Sequence, residues 1–196
     1  MKRYLFHGSS IPNITELFAH SRSAERDNKV LYLTDNYPYS LFYIWDTKHN
    51  LKKGKHITCA VKNGIVYYEE QFENQLQRFY DGVSGYVYVV NDSEDFMKAS
   101  SSEAIWLSDK NVFVSDVRFI PNVYEEMQKQ MAQEKIKVIK YSEVDKERLN
   151  GFYDYYSKLI IKNELLDIPE SEQAMFYKTF FSQAWENAKK QLQKRF

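Results

Sequence analysis

Val30 to Tyr43, reading VLYLTDNYPYSLFY, constrains this chain most, because it begins as a strand and ends as a helix. Val30, Leu31, Tyr32 and Leu33 are β-branched, aromatic or large aliphatic residues, the types that pack well on a half-buried sheet. Thr34, Asp35 and Asn36 then offer side-chain oxygens to the free N–H groups of a helix start, and Pro38 fits a first turn, where an N–H has no partner anyway. Residues three apart share a helix face, so Tyr32 at the strand end, Ser40 one turn in and Tyr43 beyond it can line a single pocket. Taken alone, an aromatic strand and helix of this kind read as core packing. The rest of the chain decides between the two.

Lys2 to Phe6 reads as a first strand, stopped by His7-Gly8-Ser9-Ser10. Ile11 to Lys29 is a polar connection able to cover a ligand, with a short helix around Ile14 to His20. Asn63-Gly64, between His56 to Lys62 and Ile65 to Tyr68, predicts a tight hairpin. Phe72, Leu76, Phe79 and Tyr80 recur at helical spacing, which predicts a helix from Glu69 to Tyr80 with Gly82 as its stop. Gly85 to Val90, Glu103 to Leu107 and Val112 to Ile120 read as strands, with a loop from Asn91 to Ser102. Beyond Pro121 the pattern shifts to a helix over 124–134, a strand over 136–141, and long helices over 145–166 and 170–196 parted by Pro169. The expected organisation is a β-rich domain over 1–121 and a helical C-terminal extension over 122–196 packed on it. Tyr155, Tyr156, Leu159, Ile160 and Leu166 in one helix, and Met175, Phe176, Phe180, Phe181 and Trp185 in the last, are the apolar positions expected to bury.

Lys plus Arg equals Asp plus Glu, 27 each, so no global field draws the chain to nucleic acid or to an anionic membrane. The single cysteine, Cys59, excludes a disulfide framework and a cysteine-based zinc site. His20, His49 and His56 show no paired ligand spacing, and no metal is expected. No apolar run approaches the ~18 residues of a membrane span, and Met1 to Phe6 is too short for a signal peptide. The expectation is a soluble, cytoplasmic protein with no membrane partner.

The ordered motifs carry a resemblance. His7-Gly8-Ser9 ends the first strand, Tyr32 is followed by Ser40 eight positions on and Tyr43 three after that, and Glu103 heads EAIWL before another hydrophobic strand. In this the chain resembles the ADP-ribosyltransferase superfamily, in the diphtheria-toxin-like and poly(ADP-ribose)-polymerase-like branch marked by a His-Tyr-Glu triad. The resemblance covers about residues 2 to 120 and leaves out the helical tail. It implies an α+β fold in which a split pair of mostly antiparallel sheets forms an NAD cleft.

It also implies roles. Loss of nicotinamide from NAD⁺ passes through an oxocarbenium-like state, which a carboxylate beside the ribose stabilises. By resemblance that carboxylate is Glu103, hydrogen-bonded to the ribose 2′-hydroxyl and orienting the acceptor, with His7 and Tyr32 completing the catalytic triad. Tyr32 and Tyr43 would sandwich the nicotinamide, Gly8 and Ser40 would bond its carboxamide, and His7, supported by Ser9, would bind the adenosine ribose. Tyr39 stands where polymerizing members often carry lysine, which points away from chain elongation. The expected function is NAD-dependent mono-ADP-ribosyl transfer to a protein or nucleic-acid acceptor. Glycohydrolysis of NAD by the same residues, or a catalytically silent binding module, are the alternatives.

Overall fold

The computed structural model describes residues 3–44 and 58–193. His49, His56 and the expected helix end beyond Gln193 lie outside the described residues. In chain order the elements are β1 (Tyr4–Ser9), β2 (Glu16–Leu17), β3 (Ser21–Ser23), β4 (Arg26–Thr34), α1 (Tyr37–Leu41), β5 (Thr58–Lys62), β6 (Ile65–Glu69) and α2 (Gln75–Tyr80). There follow β7 (Gly85–Asn91), β8 (Met97–Lys98), β9 (Ile105–Ser108), β10 (Val112–Phe113), β11 (Asp116–Ile120), α3 (Val123–Ala132), β12 (Ile136–Ile139), α4 (Lys146–Lys162), α5 (Glu172–Phe180) and α6 (Ser182–Gln193). The fold is α+β, as the sequence predicts.

One seven-stranded antiparallel sheet runs β11-β7-β1-β4-β9-β8, with β3 added on β4. A ribbon of β2 and β10 and a three-stranded sheet, β12-β6-β5, complete the β structure. β1 and β7 pair over six residues, from Tyr4 opposite Asn91 to Ser9 opposite Tyr86. β1 and β4, by contrast, are in register at one point, Phe6 opposite Thr34. Beyond that point the two strands part, and the opening between them becomes the cleft described below.

Several local expectations change. β1 continues through His7-Gly8-Ser9 because those residues pair with Tyr88, Val87 and Tyr86 of β7, a partner that outweighs the weak strand propensity of glycine and serine. Ile14 to His20 is not helical: Glu16–Leu17 pairs with Val112–Phe113 instead. The predicted strand over 112–120 is therefore two strands, broken at Val114-Ser115, whose N–H groups reach Thr15 and Val89. The predicted helix over 69–80 is confined to Gln75–Tyr80.

The chain divides into two compact units. Among the described residues the first holds 3–44, 59–68 and 76–138, and the second 58, 69–75 and 139–193. The division thus falls after Val138 rather than at the 121/122 boundary read from composition. Within the first unit α3 belongs to the β-rich body: Val123 and Met127 are fully buried, and the Val123 N–H donates to Val83. A hydrophobic core in this unit joins Leu5, Leu31, Leu33, Tyr88 and Val90 of the sheet with Leu17 and Phe96.

The second unit is an aromatic cluster between helices. Phe72 stacks on Phe180 at 4.7 Å between ring centroids and meets Phe181 edge-on at 5.5 Å, while Phe181 lies 4.3 Å from Tyr156. Tyr156, Ile160, Phe181 and Trp185 are buried as expected, but Tyr155 and Met175 are exposed, 57% and 44%. The long final helix is interrupted at Phe181, whose φ of −128° and ψ of 45° end α5. Ala184, Trp185 and Ala188 form the buried side of the helix that follows.

Candidate functional site

The cleft is assembled by strand register. Phe6, Thr34 and Ile105 are cross-strand partners on β1, β4 and β9, so their side chains lie in one row on one face of the sheet. Gly8 and Tyr32, two residues on from Phe6 and two back from Thr34, continue that face on the two parting strands. All five line one cleft, together with His7, Leu33, Tyr39, Ser40 and Tyr43. With its open mouth the void is about 330 Å³.

Helix α1 forms the wall. Asn36, extended at φ −108°, caps it by accepting the Tyr39 N–H at 2.9 Å, and its Nδ2 donates to the Gly64 carbonyl at 2.7 Å. The capping residue thereby ties α1 to the tip of the β5–β6 hairpin. Gly8 explains how close this wall comes. A Cβ at Gly8 would lie 2.0 Å from the Ser40 carbonyl oxygen and 3.2 Å from Ile44 Cγ1, so no other residue fits against this backbone. Tyr37, the first residue of α1, packs edge-on against Phe6 at 5.7 Å and donates its hydroxyl to Glu126 of α3 at 3.0 Å. Glu126 is buried and also takes Gln130 Nε2 at 3.1 Å, with Arg118 and Lys129 each at 3.5 Å. Burial and the neighbouring carboxylate push the Tyr37 phenol far up, which keeps it a donor.

His7 stands where β1 leaves β4. Its Nδ1 lies 3.0 Å from the Tyr32 carbonyl, which can only accept, so Nδ1 carries the proton and the neutral ring leaves Nε2 as an acceptor. The ring supplies the hydrogen bond that a paired strand would have given. Burial lowers the His7 pKa from 6.5, opposed by this bond and reinforced by His20. Tyr32 itself donates to the Arg22 carbonyl at 3.3 Å.

Ser40 is fully buried and donates to the Tyr37 carbonyl at 2.7 Å. Rotation about its Cα–Cβ bond is what would turn that hydroxyl away from Tyr37. Tyr43 is 38% exposed and meets Tyr39 edge-on at 5.3 Å, donating its hydroxyl to the Tyr39 oxygen at 2.9 Å. Burial raises both phenols, so both are uncharged aromatic faces at neutral pH.

Five of the seven residues singled out in the sequence, His7, Gly8, Tyr32, Ser40 and Tyr43, thus meet in one cleft. Ser9 and Glu103 are not among its lining. Ser9 Oγ accepts the Ile11 N–H at 3.1 Å. Glu103 is exposed in the turn before β9, two residues from the lining Ile105, and its Oε1 accepts the Gly64 N–H at 3.2 Å. Phe6, Leu33, Thr34, Tyr39 and Ile105 were not anticipated. A period-2 count from Gly8 and Tyr32 could have found Phe6 and Thr34, but Ile105 needed the β4–β9 register.

Among the described residues no group of three or more His, Cys, Asp or Glu side chains could hold a metal ion, and no helix is long and apolar enough to cross a membrane. Burial pushes the Cys59 thiol up to about 12, so it is no nucleophile at neutral pH. In comparisons with known proteins the chain matches no family model, no curated protein and no solved structure.

Proposed function

We propose that the cleft holds the nicotinamide end of NAD⁺ and that the protein is an NAD-dependent mono-ADP-ribosyltransferase with an ADP-ribosyltransferase-like split sheet. One observation carries this reading: residues picked out by motif on three elements, His7 and Gly8 on β1, Tyr32 on β4, Ser40 and Tyr43 on and just after α1, all line one cleft. The groups fit the ligand. The aromatic faces of Tyr32 and Tyr43 suit a pyridinium ring, a cation on an aromatic face being worth ~0.5 to 2 kcal/mol. Ser40 is a donor at the same wall, which Gly8 lets pack close against β1. His7, with Nε2 free to accept, suits a ribose hydroxyl.

In the reaction the bond between ribose C1′ and the nicotinamide nitrogen breaks, and nicotinamide leaves with the electron pair. Positive charge develops on the ribose, and the acceptor attacks C1′ as its proton is lost. Glu103 is assigned to stabilise that charge through the 2′-hydroxyl and to orient the acceptor. Its carboxylate is solvent-exposed and one residue from Ala104, whose carbonyl accepts the Asp35 N–H at 3.3 Å.

A second reading has its own support. Glu103 does not line the cleft and is engaged by Gly64, the arrangement expected of a silent module that binds an ADP-ribose-like ligand. Incubation of the pure protein with NAD⁺, with and without cell lysate, separates the cases. Nicotinamide release that needs lysate is expected for transfer, and release without it indicates glycohydrolysis. Absence of release beside calorimetric binding of a non-hydrolysable NAD⁺ analogue indicates the silent module.

A further inference from the structure

Glu103 sits in the six-residue connection 99–104 between β8 and β9, closed at its base by the Ala99 N–H donating to Ile105 at 2.9 Å. The apex is Ser100-Ser101-Ser102, polar and without an apolar anchor. It is held instead by Glu25, in the turn between β3 and β4. Oε2 of Glu25 accepts the Ser100 N–H at 2.8 Å, while Oε1 accepts the Ser101 N–H at 3.3 Å and the Ser101 hydroxyl at 2.7 Å. Glu25 is in turn oriented by Ser23, whose Oγ accepts the Glu25 N–H at 3.1 Å. Charge-assisted bonds of this kind are about twice as strong as neutral ones, and three of them converge on one carboxylate. The bonds to Ser100 above all, then to Ser101, hold the Glu25 carboxyl below its usual range, so the clamp stays charged at neutral pH.

We propose that Glu25 is a positioning residue of the site. Its carboxylate fixes the loop apex, and through Ser102, the one residue between Ser101 and Glu103, it fixes where the Glu103 carboxylate stands. The inference rests on the assignment of Glu103 in the preceding subsection, but its first test does not need activity. Gly64, 39 residues away in sequence, reports the position of Glu103 because its N–H is bonded to that carboxylate.

Amide hydrogen exchange is measured for the wild type, Glu25→Ala and Glu25→Asp, with thermal melts confirming that each is folded. In Glu25→Ala, exchange at Ser100 and Ser101 is expected to quicken severalfold, and exchange at Gly64 to quicken with it. Glu25→Asp keeps the charge and is expected to restore part of the protection. Unchanged exchange at Gly64 would overturn the proposal, whether or not the apex amides speed up. Kinetics then tests the functional consequence. Glu25→Ala is expected to lower kcat for nicotinamide release about tenfold with KM for NAD⁺ within twofold, and to cost nothing further in a Glu103→Gln background, since both changes act on one group. Additive losses would also overturn it. A wild type that releases no nicotinamide sinks the assignment of Glu103, while the Gly64 result still decides whether Glu25 positions it.

Discussion

Along one wall of the cleft, Gly8, Tyr39 and Ser40 are buried, α1 is capped by Asn36, and its first residue is anchored to a buried carboxylate. Along the other flank, Glu103 is exposed in a serine-rich loop held by hydrogen bonds at the protein surface. The first region is close-packed, so its geometry is set by volume and changes only when backbone moves. The second is set by a few polar contacts, each worth about 0.5 to 1.5 kcal/mol, or somewhat more where charged. In a transferase this contrast has a use. Under the proposed reading, the part assigned to grip the leaving group is fixed in advance, while Glu103, assigned to meet ribose and acceptor, stays open to solvent.

The harshest test of the packed wall is Gly8→Ala. Because the new Cβ would meet the Ser40 carbonyl at 2.0 Å, the clash is with backbone and no rotamer relieves it. A loss of about 3 kcal/mol or more in stability is expected, with loss of NAD⁺-analogue binding, in denaturant melts and calorimetry. A stable variant that still binds the analogue would show the wall to be less rigid than its packing implies.

Glu103→Gln probes the open flank and is expected to leave stability and analogue affinity unchanged. Nicotinamide release is expected to fall by about a hundredfold to a thousandfold, ~2.7 to 4 kcal/mol of transition-state stabilisation. Turnover within a few-fold of wild type would move the carboxylate's role elsewhere. Tyr37→Phe keeps the ring on Phe6 but takes one donor from the buried Glu126, at a cost of about 1.5 to 3 kcal/mol in stability. Analogue binding is expected to weaken with it if the anchor of α1 sets the cleft wall. Tyr43→Ala removes a half-open aromatic face and is expected to weaken binding at the nicotinamide end by about 0.5 to 2 kcal/mol, with kcat little changed.

The smallest effect is with pH. His7 has its pKa lowered below 6.5 in the fold, so on acidification the unfolded chain takes up a proton there first. Stability from this group is therefore complete above 6.5 and declines as pH falls toward the lowered value. Thermal melts over about pH 5 to 7 are expected to show this slope in the wild type and not in His7→Asn, whose amide can still donate to the Tyr32 carbonyl.

What could be read from the sequence follows from range. The strand, cap and helix of 30–43 involve neighbours in sequence, and Asn36 caps α1 as its residue type predicts. The pairing of His7-Gly8-Ser9 with Tyr88, Val87 and Tyr86 of β7 joins residues some eighty positions apart, and glycine and serine gave no sign of it. The clamp of Glu25 on Ser100 and Ser101 is likewise invisible to local pattern, because an exposed carboxylate in a turn resembles any other. Phe181 interrupts the last helix with neither proline nor glycine nearby; its ring is drawn into the Tyr156 and Phe72 cluster, and packing overrides propensity. Composition alone moved α3 out of the first unit, because a helix bordering a β-rich stretch reads as the start of something new. Its buried Val123 and Met127 belong to the body it follows.

In the proposed NAD⁺ site, the bond between the His7 ring and the Tyr32 carbonyl would also bear on selectivity between dinucleotides. With the Nδ1 proton committed to a peptide oxygen, the uncharged ring offers an outside group only a lone pair on Nε2. A ribose hydroxyl can donate to it. A phosphate monoester at the same carbon brings further lone pairs and negative charge, and meets repulsion in place of a bond. If the cleft takes NAD⁺ as proposed and His7 faces the adenosine ribose, this bond favours NAD⁺ over its 2′-phosphorylated counterpart, and the discrimination narrows in acid as the ring gains its second proton.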